Sequence, residues 1–339
     1  MHREIQDILD NQPMKIGVFV PQGWRMDLVD VRDPVEKYET MSRCAREAED
    51  AGFDAIFLYD HFHTVPEPKL ESVFECWTTM AALARDTKKI RLGQMVTCNS
   101  YRPPSLLAKM ASGIDVMSHG RLILGIGAGW YQHEYEAFGY EYPETPERLR
   151  MLRESLQIIK AMWTDDQASF DGRYYKLRGA INEPKPVQKP HPPIWIGGAG
   201  EKVTLKLVAQ YGDACNVRAD LDTVRHKLEV LREHCKAVGR DYDSVLKTAE
   251  FYAILGDGRE VARVVKDTAR RIGRDEQFVR SEWQEFIGDA DDIAGAMREY
   301  AEAGIEYFIV NLPNAAEGGV FKRFAEEVFP RVGLEAAAN

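Results

Sequence analysis

Ala51-Gly52-Phe53-Asp54-Ala55-Ile56-Phe57-Leu58 and, near the other end of the chain, Ala303-Gly304-Ile305-Glu306-Tyr307-Phe308-Ile309-Val310 follow one scheme. Tyr211-Gly212-Asp213-Ala214-Cys215-Asn216-Val217 is a third copy. In each, a helix closes on a glycine, an acidic residue opens the turn, and an unbroken apolar strand follows, as a parallel sheet covered by helices requires. Working outward, strands of this kind are expected at 15–20, 55–60, 90–96, 121–127, 193–197, 213–217, 247–254 and 306–311. Helical stripes lie between nearly all of them, such as Leu149, Leu152, Leu156, Ile159 and Trp163. Another begins with Asp33 as N-cap and Pro34 at the first helical position, and buries Tyr38, Met41, Ala45 and Ala48. Eight alternating units imply an α/β fold of the (β/α)8 type, a TIM barrel. A doubly wound sheet carries the same local signals.

The chain of 339 residues, 45% hydrophobic, is long enough for one large core, and no linker divides 1–339 into separate domains. Residues 1–13 show little periodicity and read as a peripheral arm. Segment 166–193 interrupts the alternation between the fourth helix and the fifth strand. It carries a hairpin signal at Asp171-Gly172 and then a proline-rich run, and reads as an insertion acting as a lid. No apolar run spans a bilayer and no signal peptide opens the chain, so a soluble, cytoplasmic protein is expected. Cys44, Cys76, Cys98, Cys215 and Cys235 form no C-x-x-C pair, as reduced thiols in packed elements would not. A net charge of -10 without a basic block argues against a nucleic-acid partner.

In a barrel of this type the chemistry sits at the C-terminal strand ends. Strand 4 runs into Gly125-Ile126-Gly127-Ala128-Gly129-Trp130 and then a helix start, and strand 5 into Gly197-Gly198-Ala199-Gly200. The first is G-x-G-x-G, not a dinucleotide fingerprint. Bare backbone at helix starts on adjacent strands makes a shared anion seat, which fits a ligand with a phosphate at one end. Glycine there also serves simply to let a strand pack tightly under a helix. Strand 2 ends in Tyr59-Asp60-His61-Phe62-His63. An H-x-H of this kind would serve as half of a metal site, but the remaining strand ends offer Asn216, Glu250 and Asn311 and no further histidine. No metal ligands are therefore assigned. Trp24, Trp130 and Trp195 lie close to strand ends, Trp130 as a pocket wall and Trp195 as core.

Four motifs in order carry a resemblance: Asp60-His61-Phe62-His63-Thr64, Gly93-Gln94-Met95-Val96-Thr97 through Lys109, Gly120-Arg121-Leu122 through Trp130, and Ile194-Trp195-Ile196-Gly197-Gly198. Over about 15–330 the sequence resembles the luciferase-like flavin and deazaflavin oxidoreductases, most closely the branch that uses coenzyme F420. The resemblance implies a barrel with an insertion after the fourth helix, a non-prolyl cis peptide at Gln94–Met95 behind the cofactor ring, and Thr97 facing that ring. It implies a phosphate held by Ala128, Gly129 and His133 on one side and by Gly197, Gly198, Ala199 and Gly200 on the other. It also implies an acid–histidine pair, Asp60 and His61, at the reactive face, and a homodimer, for which Phe74, Trp77, Met110 and Met117 supply apolar surface.

Members acting on sugar phosphates have a glutamate after the strand 4 turn and a lysine beyond strand 6, where this chain has Trp130 and Arg218-Ala219-Asp220-Leu221. The expected activity is hydride transfer between F420 and a small organic substrate, with His61 as proton donor because histidine titrates near neutrality. Glu250, Glu134 or water would otherwise supply the proton. An FMN-dependent monooxygenase is the alternative on the same scaffold; more remote are a metal-dependent barrel hydrolase and a flavin-binding barrel without turnover. The anionic F420 tail would need cations, for which Arg102, Lys109, Lys202 and Lys206 are candidates.

Overall fold

Strands β1 (Lys15–Phe19), β2 (Ala55–Leu58), β3 (Arg91–Gln94), β4 (Leu122–Gly127), β5 (Ile194–Gly197), β6 (Ala214–Asn216), β7 (Leu246–Tyr252) and β8 (Tyr307–Asn311) each pair in parallel with the next, and β8 pairs with β1. The ring is closed, so the chain is a TIM barrel and not a doubly wound sheet, which would keep two edges. The computed structural model describes residues 14–282 and 286–334. The arm expected at 1–13 lies outside them. Helices α1 (Pro34–Ala51), α2 (Cys76–Asp86), α3 (Pro104–Met117), α4 (Thr145–Thr164), α5 (Thr204–Tyr211), α6 (Leu221–Val238), α7 (Gly258–Ile272), α8 (Ala290–Glu302) and α9 (Val320–Val328) surround it. No helix among the described residues is long and apolar enough to cross a membrane.

The repeated scheme has a mechanical reason. Asp54 accepts from the Tyr307 hydroxyl at 2.9 Å, Asp213 from the Ile194 amide at 2.8 Å, and Glu306 from the Lys247 amide at 3.1 Å. Asp213 and Glu306 thus each pin a neighbouring strand at the N-terminal rim, and Asp54 reaches past β1 to β8. Gly52 ends α1 in the left-handed conformation, φ 90°, and Gly304 stands at φ 107°. Gly212 departs from the scheme: its φ is −85°, and it is glycine because a Cβ would press to 3.2 Å on Val208 and Ile196.

Inside the ring, Phe19, Phe57, Met95, Ile123, Trp195, Tyr307 and Ile309 form one apolar cluster. Phe57 fits because Gly17 and Gly93 flank it; a Cβ on either would lie 2.6 Å from its ring. A larger cluster fills the space between strands and helices, with Trp77 1% exposed inside it. Trp77 is therefore core and not dimer surface. All five cysteines are buried free thiols, and burial pushes Cys44, Cys98 and Cys215 up to about 12.

Segment 166–193 forms the expected hairpin, strands Ala168–Asp171 and Lys176–Ala180, with its turn capped by the Glu154 carboxylate on the amides of Arg173, Tyr174 and Tyr175. Its second half binds Asn182 to Ser112 and Met162, and Gln188 to Asp115 and to the carbonyl of Leu122 at the start of β4. These contacts lie on the flank of α3 and α4 and at the N-terminal rim. The anchors of this second half belong to those helices and that rim, while Tyr175 of the hairpin lies beside Asn99 and Cys98.

Candidate active site at the C-terminal rim

Beyond β2, Asp60 and His61 turn to different partners. His61 Nδ1 lies 2.8 Å from Glu134 Oε2, and the His61 ring stacks on Trp24 at 4.3 Å and 3°. Glu134 is fully buried on the short helix Gln132–Ala137 that follows the β4 turn. Its Oε1 accepts from the amides of Phe62 and His63 at 2.6 and 2.8 Å, and its Oε2 also from the Tyr101 hydroxyl at 2.7 Å. Burial alone would raise the Glu134 carboxyl, but His61, Tyr101 and the His63 amide together hold it below the usual carboxylate range. An ionised Glu134 keeps a proton on His61 Nδ1. The other nitrogen, Nε2, is then the one able to give or take a proton.

Asp60 does not belong to that pair. Its carboxylate accepts from the Cys98 amide at 2.9 Å and from both terminal nitrogens of Arg102 at 2.7 and 2.9 Å, and Arg102 also binds Glu75. The acid–histidine pair expected from Asp60 is corrected to Glu134–His61, because a fully buried Asp60 needs Arg102 as its counter-ion. The same contact removes Arg102 from the cations available to a ligand. Lys109, another of those cations, is held by the carbonyl of Glu183.

The two glycine turns divide by role. β3 breaks at the non-prolyl cis peptide Met95–Val96, one bond later than Gln94–Met95, and resumes at Thr97–Cys98 beside β4. Cβ atoms on Gly127 and Gly197 would lie 2.8 and 2.6 Å from the Val96 methyls, and one on Gly125 1.7 Å from the Gln94 carbonyl. These three glycines make room for the break in β3. Gly129 and Gly198 instead turn the chain, at φ 81° and 108°. At Gly129 a Cβ would strike the Tyr135 hydroxyl at 2.1 Å and the Cys98 sulfur at 2.6 Å.

Ala128 is half-buried and His133 exposed, its ring 5.0 Å from His63. Gly198 and Gly200 are exposed, and the Ala199 carbonyl accepts from Lys227 at 2.8 Å. Met95 packs in the barrel interior, while Gln94 Oε1 accepts from the Gly125 amide at 3.2 Å. Gln94 Nε2, the Thr97 hydroxyl and His63 Nδ1 are buried without a hydrogen-bond partner. Unpartnered polar atoms beside two open turns are the chemistry of a polar ligand's seat.

A second polar group lies across Trp24. Tyr59 donates to Glu250 at 3.4 Å and accepts from Asn311 at 3.0 Å, and the Arg25 guanidinium stands 4.5 Å from the Trp24 and Tyr252 rings. Burial pushes the Glu250 carboxyl up, against the pull of Arg25 and Arg218. A cavity of about 110 Å³ opens here, lined by Arg25, Asp27, Thr268, Arg271, Phe278 and Asn311.

Residues 14–302 match the family model described as luciferase-like monooxygenase. The chain belongs to that family. F420-dependent glucose-6-phosphate dehydrogenases of Amycolatopsis mediterranei and Gordonia bronchialis are 28% and 26% identical to it over 312 residues, covering 84% of this chain and 92% and 90% of theirs. The structure of an F420-dependent secondary alcohol dehydrogenase in complex with an F420-acetone adduct superposes with a TM-score of 0.78 at 21% identity, over 94% of this chain and 99% of that one. The EDTA monooxygenase of Chelativorans sp. BNC1 superposes with a TM-score of 0.78 at 16% identity, over 94% and 93%. At such identities these two structures establish the fold alone.

In this luciferase-like protein, the sequence pointed to His61 and the two turns but not to the partners that surround them. Glu134 carried one signal, a carboxylate in the first turn of the helix after the glycines. Trp24 and Glu250 were visible only as strand-end residues, and Arg25 not at all. Trp195, 2% exposed, is core as expected, while Trp130 is 60% exposed with its ring edge-on to His61 at 5.7 Å.

Proposed function

We propose that this chain is a coenzyme F420-dependent oxidoreductase that transfers a hydride between the deazaflavin and a small organic substrate. The observation that carries the chemistry is the Glu134–His61 contact. The cofactor reading is supported by the F420 dependence named for the curated relatives and by the open turns at Gly129 and Gly198. The residues fit such a group: the Thr97 hydroxyl and Gln94 Nε2 lack partners beside the turns, and Ala128, Gly129, His133 and Gly197–Gly200 offer backbone and side-chain donors to a phosphate. When bound, a deazaflavin supplies hydride chemistry.

The chain's own part is position and proton. As the substrate carbon gains hydride, its oxygen or nitrogen gains negative charge, and His61 Nε2 delivers a proton there while Nδ1 keeps its bond to Glu134. In the reverse direction Nε2 takes the proton. The substrate lies between Trp130 and the Arg25 cavity. Sugar phosphates are disfavoured by an exposed tryptophan where the resemblance calls for glutamate.

We place the protein in the cytoplasm, in keeping with five free thiols, and read it as a homodimer through the outer face of α3, where Leu106 and Met117 are 50% and 39% exposed. The cofactor is tested by purifying the protein from an F420-producing host and recording absorbance and mass of what remains bound. Retention of F420 with no affinity for FMN supports the reading. FMN binding with exclusion of F420 overturns it in favour of a flavin monooxygenase.

A further inference from the structure

Four cations meet in one groove beside the second glycine turn. Arg150 and Arg153 on α4 and Lys202 and Lys206 at the start of α5 line a cavity of about 320 Å³ whose remaining walls include Leu149, Val203 and Leu207. None of the four forms an ion pair or a side-chain hydrogen bond with the described residues. This is unusual on a chain of net charge -10, where Arg148, one turn away, is fully engaged with the carbonyls of Gly129 and Pro143.

Within each element the like charges stand three or four residues apart, a spacing that repels when nothing lies between them. The groove is also continuous with the proposed cofactor seat. Lys202 stands two residues after Gly200, and Arg148 ties the start of α4 to the β4 turn. Its chemistry is two-sided: a strip of apolar side chains with a cation on each flank. The ligand it matches is a flexible chain whose methylenes lie on Leu149, Val203 and Leu207 while repeated carboxylates reach the arginines and lysines.

We infer that this groove binds the oligoglutamyl tail of the deazaflavin. The inference rests on the F420 reading above and assigns to it residues that no comparison names. Lys202 and Lys206 are the members of the set visible in the sequence. Arg150 and Arg153 join them only because α4 and α5 pack side by side.

The test is affinity as a function of tail length, read by tryptophan quenching with F420 lacking glutamyl residues and with successively longer tails, at about 0.05 and 0.5 M salt. Affinity of the parent protein is expected to rise about tenfold from the tail-less to the long-tailed form, and the gain to vanish at high salt. In Arg150→Glu/Lys206→Glu the gain is expected to vanish at both salts while the tail-less dissociation constant stays within about twofold. Equal affinity for all tail lengths in the parent, or an unchanged gain in the variant, overturns the groove and leaves the cofactor reading intact. Failure of every F420 form to bind overturns the cofactor reading itself, and the groove with it.

Discussion

His61 and Glu134, 73 positions apart, meet at 2.8 Å and join the end of β2 to the helix that leaves β4. One carboxylate orients the histidine, closes the Phe62–His63 backbone and takes the Tyr101 hydroxyl. The proposed proton-transfer geometry and local stability therefore rest on the same side chain.

Replacing His61 removes the proposed proton carrier without altering either glycine turn. His61→Ala is expected to leave cofactor affinity within about tenfold and to lower turnover by roughly 10²-fold or more. Rapid mixing with the eventual substrate measures this. Hydride transfer at the parent rate would make His61 a packing residue against Trp24.

Glu134→Gln keeps acceptor capacity for the two amides but loses the charge that fixes the His61 proton, so a large fall in kcat with little change in KM is expected. Glu134→Ala strands two amides and a hydroxyl, a cost of about 3 kcal/mol or more. In the folded protein His61, Tyr101 and the His63 amide hold the Glu134 carboxyl below the usual carboxylate range, against the effect of burial. Its stabilisation is thus fully present above the unfolded value and is lost as pH falls through the folded one. Urea melts from neutral pH into the acid range should show this loss in the parent, and a smaller one in Glu134→Gln.

Gly129→Asp should abolish cofactor binding by setting a carboxylate in the proposed phosphate seat. The structure adds that any side chain fails there. Gly129→Ala, at φ 81° and against the Tyr135 hydroxyl, is expected to cost about 2 kcal/mol or more and to weaken F420 binding. A variant with parental melting and an unchanged dissociation constant would remove this turn from the site.

Arg102 neutralises a buried carboxylate, that of Asp60. Arg102→Ala is expected to destabilise by about 3 to 5 kcal/mol by leaving Asp60 buried and unpaired, and Asp60→Asn combined with it should recover part of the loss. A double-mutant cycle in urea checks the coupling; additive effects would contradict the pairing.

The homodimer is checked by light scattering at micromolar concentration. A mass near 38.5 kDa would identify a monomer. If the dimer is present, Leu106→Glu on the exposed face of α3 should dissociate it, whereas a face elsewhere would leave it intact.

Alternating helices and apolar strands, the glycine–acid punctuation at Gly52-Phe53-Asp54 and Ala303-Gly304-Ile305-Glu306, and the polar strand ends were all legible in the chain, because these are local properties of period, capping and backbone freedom. They determined an alternating α/β fold with its polar residues at the C-terminal strand ends. Ring closure was not local, since it depends on β8 pairing with β1 across the whole chain.

Which carboxylate serves His61 was likewise invisible. Asp60 is its neighbour in sequence, but its carboxylate turns to Arg102, and Glu134 reaches the imidazole only because the β4 turn folds the next helix over the end of β2. The glycines of that turn looked alike in the sequence. Tertiary packing divided them, Gly125 and Gly127 yielding space to Gln94 and Val96 and Gly129 turning the chain, because the volume and the φ that a glycine serves are set by the neighbours that close around it.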